Sequence, residues 1–269
     1  MRLTGWRRLR IAPHTRVCLA PGLDADDWCR WLRALQDRPP AEHGGTILQD
    51  GRNLVSRHRI AQRPVVCKDF GLRHVQPAIY ALRSSKAVRA ARAAGLLLRS
   101  GIPTPAALAV LEHRRLGLLQ RAVLITDHVP DCHTLRECLD EQRHDPRILL
   151  QALGDLIRRL HKRDCWHADL TAANVLVHDA DPRRLWLIDI NRLRRGRLGG
   201  EAHWRNLSQL SLPDGLWTHF LEGYVPETGA ADRTRAIERL CRWHHRFRER
   251  GLRKRQRRHA RRARQEATP

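Results

Sequence analysis

The sequence contains no apolar run that approaches the ~20 residues needed to cross a bilayer, so no transmembrane helix is expected. Its first ten residues carry positive charge but lack the apolar segment and small-residue cleavage site of a signal peptide. Its seven cysteines include no Cys-x-x-Cys pair, which argues against a zinc site of that type. These absences predict a cytoplasmic protein whose thiols are reduced and structural.

Acidic residues are also scarce. The chain has 28 Asp and Glu against 51 Lys and Arg, a net charge of +23. Such a charge favours an acidic partner, but it does not choose between nucleic acid, anionic lipid and a phosphorylated glycan. The excess is largest over residues 242–269, which hold twelve Lys or Arg and two Glu. This tail is predicted to be solvated or a frayed helix, and a functional role for it is left open.

At 269 residues the chain is long enough for one large domain or two small lobes. The first half of the chain is predicted to be a small sheet with few helices, from its helical periodicity, its strand-like segments and its turn residues. The patterns predict helices over residues 24–38, ended by Pro39, and 85–99, and strands over residues 46–48, 54–60, 65–70, 107–112 and 121–127. The second half is predicted to be mostly helical, beginning with an apolar stripe over residues 147–162.

This pattern gives an α+β fold with four sections. We expect an N-terminal extension over residues 1–43, a β-rich lobe over 44–127, a helical lobe over 128–241 and the basic tail over 242–269.

The residue types needed for phosphoryl transfer occur together in His167-Ala-Asp169-Leu-Thr-Ala-Ala-Asn174 and in Asp189, which ends a later apolar strand. In such a site one carboxylate orients the attacking hydroxyl, while an Asn and a second Asp hold magnesium against the nucleotide phosphates. A loop that ends at Asn174, a hairpin and then Asp189 are expected to place these groups on one rim of a small sheet.

A cation for the nucleotide phosphates is the remaining requirement, and it has to lie on a rigid strand. Lys68, in Val-Val-Cys-Lys, meets this requirement. Strand alternation sends Val66 and Lys68 to the same face, where apolar residues can receive adenine. Lysine is otherwise rare in this arginine-rich chain, which favours a specific role for Lys68.

Lys68, His167, Asp169, Asn174 and Asp189 together resemble the protein-kinase-like superfamily, and more closely its lipopolysaccharide core kinases, the Kdo and heptose kinases. Three further stretches resemble that branch: Ser85-Lys-Ala-Val-Arg-Ala with Gly101-Ile-Pro-Thr-Pro105, Leu187-Ile-Asp-Ile-Asn-Arg192, and Trp204-Arg-Asn-Leu-Ser-Gln-Leu210. The resemblance extends over roughly residues 45–225. The resemblance implies a two-lobed kinase fold and ATP- and Mg²⁺-dependent phosphorylation of an inner-core sugar, either Kdo or a heptose.

The resemblance also implies a role for each site residue. Asp169 is then the catalytic base and His167 a brace of the catalytic loop, whereas Asn174 and Asp189 are magnesium ligands. The nucleotide is bound by Lys68, by Gly51 in a reduced glycine-rich loop, and by the backbone of a hinge that includes Asp127 and Val129. The implied partner is the inner-core glycan, with a monomer at the cytoplasmic face of the inner membrane and the basic tail on anionic lipid.

The sequence departs from the general kinase pattern at two places. The strand lysine of a kinase pairs with a Glu of the next helix, yet no acidic residue occurs between Ser84 and Ser100. Either another carboxylate, for example Glu112 or Asp69, pairs with Lys68, or the pairing is absent. Asp189 is followed by Ile190-Asn191 and not by Phe-Gly.

Two other functions fit the same residues. A small atypical protein kinase has a similar His-x-Asp-Leu-Thr loop, and its basic tail could bind RNA. An inactive kinase fold that acts as a binding module keeps the same pattern without catalysis. Nucleic acid is not the expected partner under the main hypothesis. His58, His74, His128 and His161 have no metal-ligand spacing, and we predict structural roles for them.

Overall fold

The computed structural model describes residues 3–35, 44–51, 53–70, 84–225 and 229–266. The predicted helix end at Pro39 and the position of His74 lie outside these residues. The chain divides into two compact units, the first made of Met1–Asp131 and Trp186–Leu193 and the second of Cys132–Leu185 and Arg194–Pro269. The α+β class is confirmed, because an antiparallel sheet dominates the first unit and helices dominate the second.

The first unit is built on a seven-stranded antiparallel sheet with the order β1-β2-β6-β7-β5-β4-β3. Its strands are β1 (Arg7–Ala12), β2 (Thr15–Leu19), β3 (Thr46–Asp50), β4 (Leu54–Ile60), β5 (Arg63–Asp69), β6 (Ala107–Arg115) and β7 (Leu118–Asp127). The strands predicted from the sequence for this unit lie within the observed strands. The one exception is Phe70, the last residue of the strand predicted over residues 65–70, which lies directly after β5.

Two helices accompany the sheet, and both begin at a side-chain cap. In α1 (Ala25–Ala34) the Asp24 carboxylate accepts two backbone N–H groups, as an N-cap residue does. Trp28 and Leu32 of this helix pack into the core of the sheet. Helix α2 (Lys86–Arg99) begins after Ser85, whose hydroxyl accepts the N–H of Val88.

The sequence analysis missed strands β1 and β2. Strand β1 lies at the edge of the sheet and has no buried residue, so it shows little apolar alternation. Strand β2 is too short for a pattern to stand out, although Val17 and Cys18 are completely buried. Residues before position 44 therefore contribute to the sheet itself.

The second unit is mainly helical. Its helices are α3 (Leu135–Asp140), α4 (Pro146–Lys162), α5 (Gly200–Leu207), α6 (Trp217–Tyr224) and α7 (Ala230–Glu266). Its short strands are β8 (Cys132–Thr134), β9 (Cys165–His167), β10 (Val175–His178), β11 (Asp181–Leu187) and β12 (Leu193–Arg195). The boundaries between the two units fall within β11 and within β12. Strand β10 lies between β11 and β8, and β12 pairs with β9.

Helices α4 and α6 approach each other through glycine. A Cβ atom on Gly154 would lie 2.2 Å from the carbonyl oxygen of Phe220, and one on Gly223 would lie 1.9 Å from that of Gln151. Real Cβ contacts are not this short, so the two backbones can pack together only because both residues lack a side chain. This packing fixes His161 on α4 beside Tyr224 on α6.

Helix α7 contains most of the basic tail. Ala236, Leu240 and His244 are buried at helical spacing, whereas Phe247 is 42% exposed. Beyond Phe247 the backbone continues as helix to Glu266. Within the described part of the chain, no helix combines the length and the hydropathy that crossing a membrane requires.

Candidate active site

Lys68 and Asp189 form an ion pair within the first unit. The distance from Lys68 Nζ to Asp189 Oδ1 is 2.8 Å, and the two side chains are only 18% and 29% exposed. Lys68 lies on β5, whose neighbours β4 and β7 both pair with it, so the position of the lysine is fixed from two sides. The predicted phosphate anchor and one predicted magnesium ligand are therefore neighbours.

The segment that leads to Asp189 is held by two contacts of Leu187, two residues before it. The Leu187 N–H donates to Pro103 O at 3.0 Å, and the Thr104 hydroxyl donates to Leu187 O at 2.7 Å. Asp189 itself has a left-handed backbone with φ of 53°, a conformation that Asp tolerates better than most residues. The Asn191 side-chain amide donates to Asp189 Oδ1, so the residues that replace Phe-Gly include one that orients this carboxylate.

The two carboxylates considered as partners of Lys68 are occupied elsewhere. Asp69 pairs with Arg121 at 2.8 Å, and the nearly buried Glu112 pairs with Arg114 at 3.1 Å. Burial raises the pKa of Asp69, while the Arg121 guanidinium opposes that shift. Adjacent residues of a strand face opposite sides, which keeps Asp69 away from Lys68. Another carboxylate does pair with Lys68, as one alternative predicted, but it is Asp189 and neither of the two residues named as examples.

The catalytic loop lies in the second unit and connects β9 to β10. His167 is fully buried, and its Nδ1 accepts a hydrogen bond from the Asp169 N–H at 3.1 Å. Because a backbone N–H can only donate, Nδ1 carries no proton. His167 therefore holds the backbone of Asp169.

Asn174 is fixed by a hydrogen bond of known direction. Its Nδ2 donates to Asp169 O at 2.8 Å, and since a carbonyl oxygen can only accept, the orientation of the amide is settled. The Oδ1 atom accepts no hydrogen bond from a described residue. It has the chemistry of a magnesium ligand.

A buried asparagine that the sequence analysis did not assign supports this loop. Asn206 on α5 is 2% exposed, and its Nδ2 donates to His167 O at 2.8 Å. Its Oδ1 must therefore accept, so His161 Nε2 donates to it at 3.3 Å. The run Trp204–Leu210, which contains Asn206, was one of the stretches that resemble the lipopolysaccharide core kinases. Only the contact in the folded chain reveals what the Asn206 side-chain amide does.

A directed chain of hydrogen bonds continues from His161. Burial, with a smaller contribution from His203, lowers the pKa of His161 to about 4, so the ring is neutral near pH 7. With its proton on Nε2, His161 Nδ1 accepts from the Tyr224 hydroxyl at 2.8 Å. The Tyr224 oxygen accepts in turn from His203 Nε2 at 2.8 Å. Burial lowers the pKa of His203 and raises that of Tyr224, so every member of the chain is uncharged.

The predicted nucleotide hinge lies in the first unit, at the end of β7. Arg63 donates to both carboxylate oxygens of Asp127, at 2.7 and 3.0 Å, and the Asp127 N–H donates to Ala106 O. The side chain of Asp127 is thus engaged within the protein. The N–H of Val129 forms no hydrogen bond with a described residue and is the available backbone donor.

Gly51 lies in the turn between β3 and β4 and is exposed. A Cβ atom there would have only the end of the Gln49 side chain, 4.0 Å away, within reach. Gly45 is more constrained, because a Cβ on it would lie 2.1 Å from the His58 ring. The hairpin is therefore present, but only one of these two glycines is required by packing.

The fold is kinase-like, and these residues are of the types that kinases use for phosphoryl transfer. A family model described as the lipopolysaccharide kinase (Kdo/WaaP) family matches residues 72–224, more than half of the chain. The chain belongs to the lipopolysaccharide kinase (Kdo/WaaP) family.

Sequence identity to individual relatives is low. The chain is 30% identical over 118 residues to a 3-deoxy-D-manno-octulosonic acid kinase of Haemophilus influenzae, which covers 42% of this chain and 47% of that protein. It is 30% identical over 145 residues to the kinase of the same name from Actinobacillus succinogenes, covering 48% of this chain and 58% of the relative. The chain thus matches about half the length of these curated relatives.

A solved structure described as WaaP in complex with acyl carrier protein has a similar fold. The TM-score is 0.54 with 19% sequence identity, and the match covers 87% of this chain and 98% of that one. At this identity the likeness concerns the fold alone. It confirms the kinase-like architecture predicted from the motif.

Proposed function

We propose that this protein transfers the γ-phosphate of ATP to a sugar hydroxyl, of Kdo or of a heptose, in the lipopolysaccharide inner core. The observation that carries the proposal is the catalytic loop, in which the Asn174 amide binds the backbone of Asp169 and leaves its own oxygen free for a metal. Membership of the lipopolysaccharide kinase family supports the choice of acceptor.

Asp169 is the base of the proposed reaction. Its carboxylate accepts the proton of the sugar hydroxyl as the hydroxyl oxygen bonds to the γ-phosphorus, and the bond from that phosphorus to the bridging oxygen breaks to release ADP. The loop contacts of Asp169 described above use its backbone N–H and C=O groups, and they fix the position of this residue in the loop.

Asn174 and Asp189 are the proposed ligands of magnesium. An amide oxygen and a carboxylate, completed by phosphate oxygens and water, suit the preference of Mg²⁺ for hard oxygen ligands. Asp189 uses Oδ1 for Lys68 and Asn191, which leaves Oδ2 for the metal. The ion would neutralise charge on the phosphates during transfer.

The first unit supplies the proposed nucleotide contacts. Lys68 binds the α- and β-phosphates, and the hairpin that contains Gly51 covers them. The hinge that includes Asp127 and Val129 binds adenine through its backbone. Because the Asp127 carboxylate is paired with Arg63, its side chain serves to hold the hinge.

A transfer assay tests this function. The protein is incubated with Mg²⁺, γ-labelled ATP and deacylated inner-core glycans that end in Kdo or in heptose, with Asp169→Ala in parallel. We expect label on a sugar hydroxyl, abolished in the variant and by chelation of Mg²⁺. Label on serine or threonine of a protein acceptor, with none on any glycan, would contradict the proposal and favour the atypical protein kinase. ATP binding without any transfer would favour the inactive module.

We also propose that the end of helix α7 binds the anionic cytoplasmic face of the inner membrane. After the last buried positions of this helix, residues 250–269 add nine Lys or Arg and one Glu. A basic residue close to an anionic surface contributes about 1 kcal/mol of binding free energy. The acceptor glycan is attached to lipid, so this binding would bring the kinase to its substrate.

Removal of residues 250–269 tests the membrane contact, because it leaves the buried face of α7 intact. In vesicle co-sedimentation we expect the truncated chain to bind phosphatidylglycerol vesicles at least about ten-fold more weakly than the full chain. Vesicles of phosphatidylcholine alone should retain neither protein. Equal binding of both proteins to the anionic vesicles would refute the role of the tail. Binding of the tail to RNA but not to anionic vesicles, at the same salt concentration, would refute it as well.

A further inference from the structure

A large cavity occurs within the second unit, with a volume of about 910 Å³. It is lined by the end of α4, the beginning of β9, the segment after β12, helix α5 and the end of α6. Cys165, which lines the cavity, begins the strand β9 that leads directly to His167 and the loop of Asp169. Its size is that of pockets that enclose ligands of several rings.

The charge of the lining is predominantly positive. Arg158, Lys162 and Arg197 line the cavity, and Asp164 is its only acidic lining residue. Arg158 is neutralised by an ion pair with Asp155. Lys162 and Arg197 are exposed and form no ion pair with a described residue. Two cations therefore line the cavity without an ion-pair partner among the described residues.

The rest of the lining suits a sugar. Trp204 is half-buried and supplies an aromatic face, against which the apolar face of a sugar ring can pack. His203 and Tyr224 supply polar groups that can bond to hydroxyls. Burial raises the pKa of the Cys165 thiol, so this residue adds no negative charge near pH 7.

We propose that this cavity binds an anionic sugar, one that carries a phosphate or a carboxylate, next to the sugar that is phosphorylated. The proposal rests on the proposed function, because it assigns the cavity to the same glycan acceptor. Arg and Lys are the side chains that bind phosphate and carboxylate most strongly. The acceptor of this enzyme is then a glycan with at least one charged sugar outside the reacting one.

The hydrogen-bond chain explains why this position suits an acceptor. His203, Tyr224 and His161 line the cavity, and the chain they form runs through Asn206 to the carbonyl of His167. The wall of the cavity and the base of the catalytic loop are thus parts of one polar network. A sugar held here is held by the elements that position Asp169.

Direct binding without ATP tests the assignment. A fluorescently labelled, deacylated inner-core glycan that retains its phosphates is titrated with the full-length protein, and anisotropy is recorded. We expect Lys162→Glu combined with Arg197→Glu to weaken binding about ten-fold or more. The matched control is Arg183→Glu with Arg239→Glu, two exposed positions of the second unit outside the cavity with the same change in net charge. The control should bind within about two-fold of the original protein.

The chemistry of the ligand is tested with modified glycans. Loss of binding after enzymatic dephosphorylation identifies phosphate as the recognised group, and loss after reduction of the carboxyl groups identifies carboxylate. Unchanged binding of both modified glycans would overturn the proposal, and so would equal weakening in the cavity and control variants. Since no phosphate is transferred here, a failure of the kinase assay and a failure of this assay are separate results.

Discussion

Asp169→Asn should lower kcat for phosphoryl transfer by about a thousand-fold, the contribution typical of a positioned general base. The amide has nearly the shape of the carboxylate but cannot take the proton of the attacking hydroxyl. The backbone N–H and C=O groups of Asp169 keep their bonds to His167 and Asn174, so the loop should keep its conformation. KM for ATP should therefore change little, which separates loss of the base from loss of the nucleotide site.

Asp140→Asn is a suitable control for this measurement, because the same isosteric change is made at an exposed position of α3. It should leave kcat within about two-fold. Steady-state rates on a glycan acceptor, measured at several pH values, provide the comparison. A kcat for Asp169→Asn within ten-fold of the original, a loss well short of the ~10³ expected of a base, would remove Asp169 from that role.

Asp189→Asn should reduce kcat/KM by about a thousand-fold, since it removes both a proposed magnesium ligand and the ion-pair partner of Lys68. Lys68→Met should cause a loss of similar size, because the free carboxylate would then face the phosphates. If the two residues act as a unit, the double variant is about as impaired as either single variant. Additive losses would show that they act independently.

Lys86→Met is the matched control for Lys68→Met. Both lysines lie over the ring of Phe70, with Nζ at 5.6 Å for Lys68 and 6.0 Å for Lys86, and the ion pair with Asp189 is formed by Lys68. The kcat/KM of the Lys86→Met variant should stay within about five-fold of that of the original protein. ATP binding by calorimetry at several Mg²⁺ concentrations then tells whether Asp189→Asn weakens the metal site. An equal loss in the Lys86 variant would contradict the role assigned to Lys68.

The elements that the sequence predicted well are those with a strong local signal. Helix α2 begins at the Ser85 cap and ends before Gly101, which has a φ of 69° that favours glycine. Helix α4 has a complete apolar stripe and was expected within one residue of its observed ends. The hairpin expected between Asn174 and Asp189 is present, with a turn of only Asp179 and Ala180 between β10 and β11.

Site features that depend on distant contacts were not predictable in the same way. The motif identified Lys68 and Asp189, but the pairing between them depends on how β5 and the segment after β11 meet. Asn206 is likewise an ordinary polar residue in the sequence, and its support of His167 exists only in the folded chain. Sequence patterns record the periodicity of single elements, whereas these contacts join elements far apart along the chain.

The pairing of Lys68 with Asp189 has a consequence for control of the enzyme. Many protein kinases are switched off when the helix after the strand lysine rotates its glutamate away. Helix α2 has no acidic residue to withdraw, and the lysine is held by Asp189, the proposed magnesium ligand. A rotation of α2 therefore has no glutamate to remove from Lys68, so that form of control does not operate through this helix.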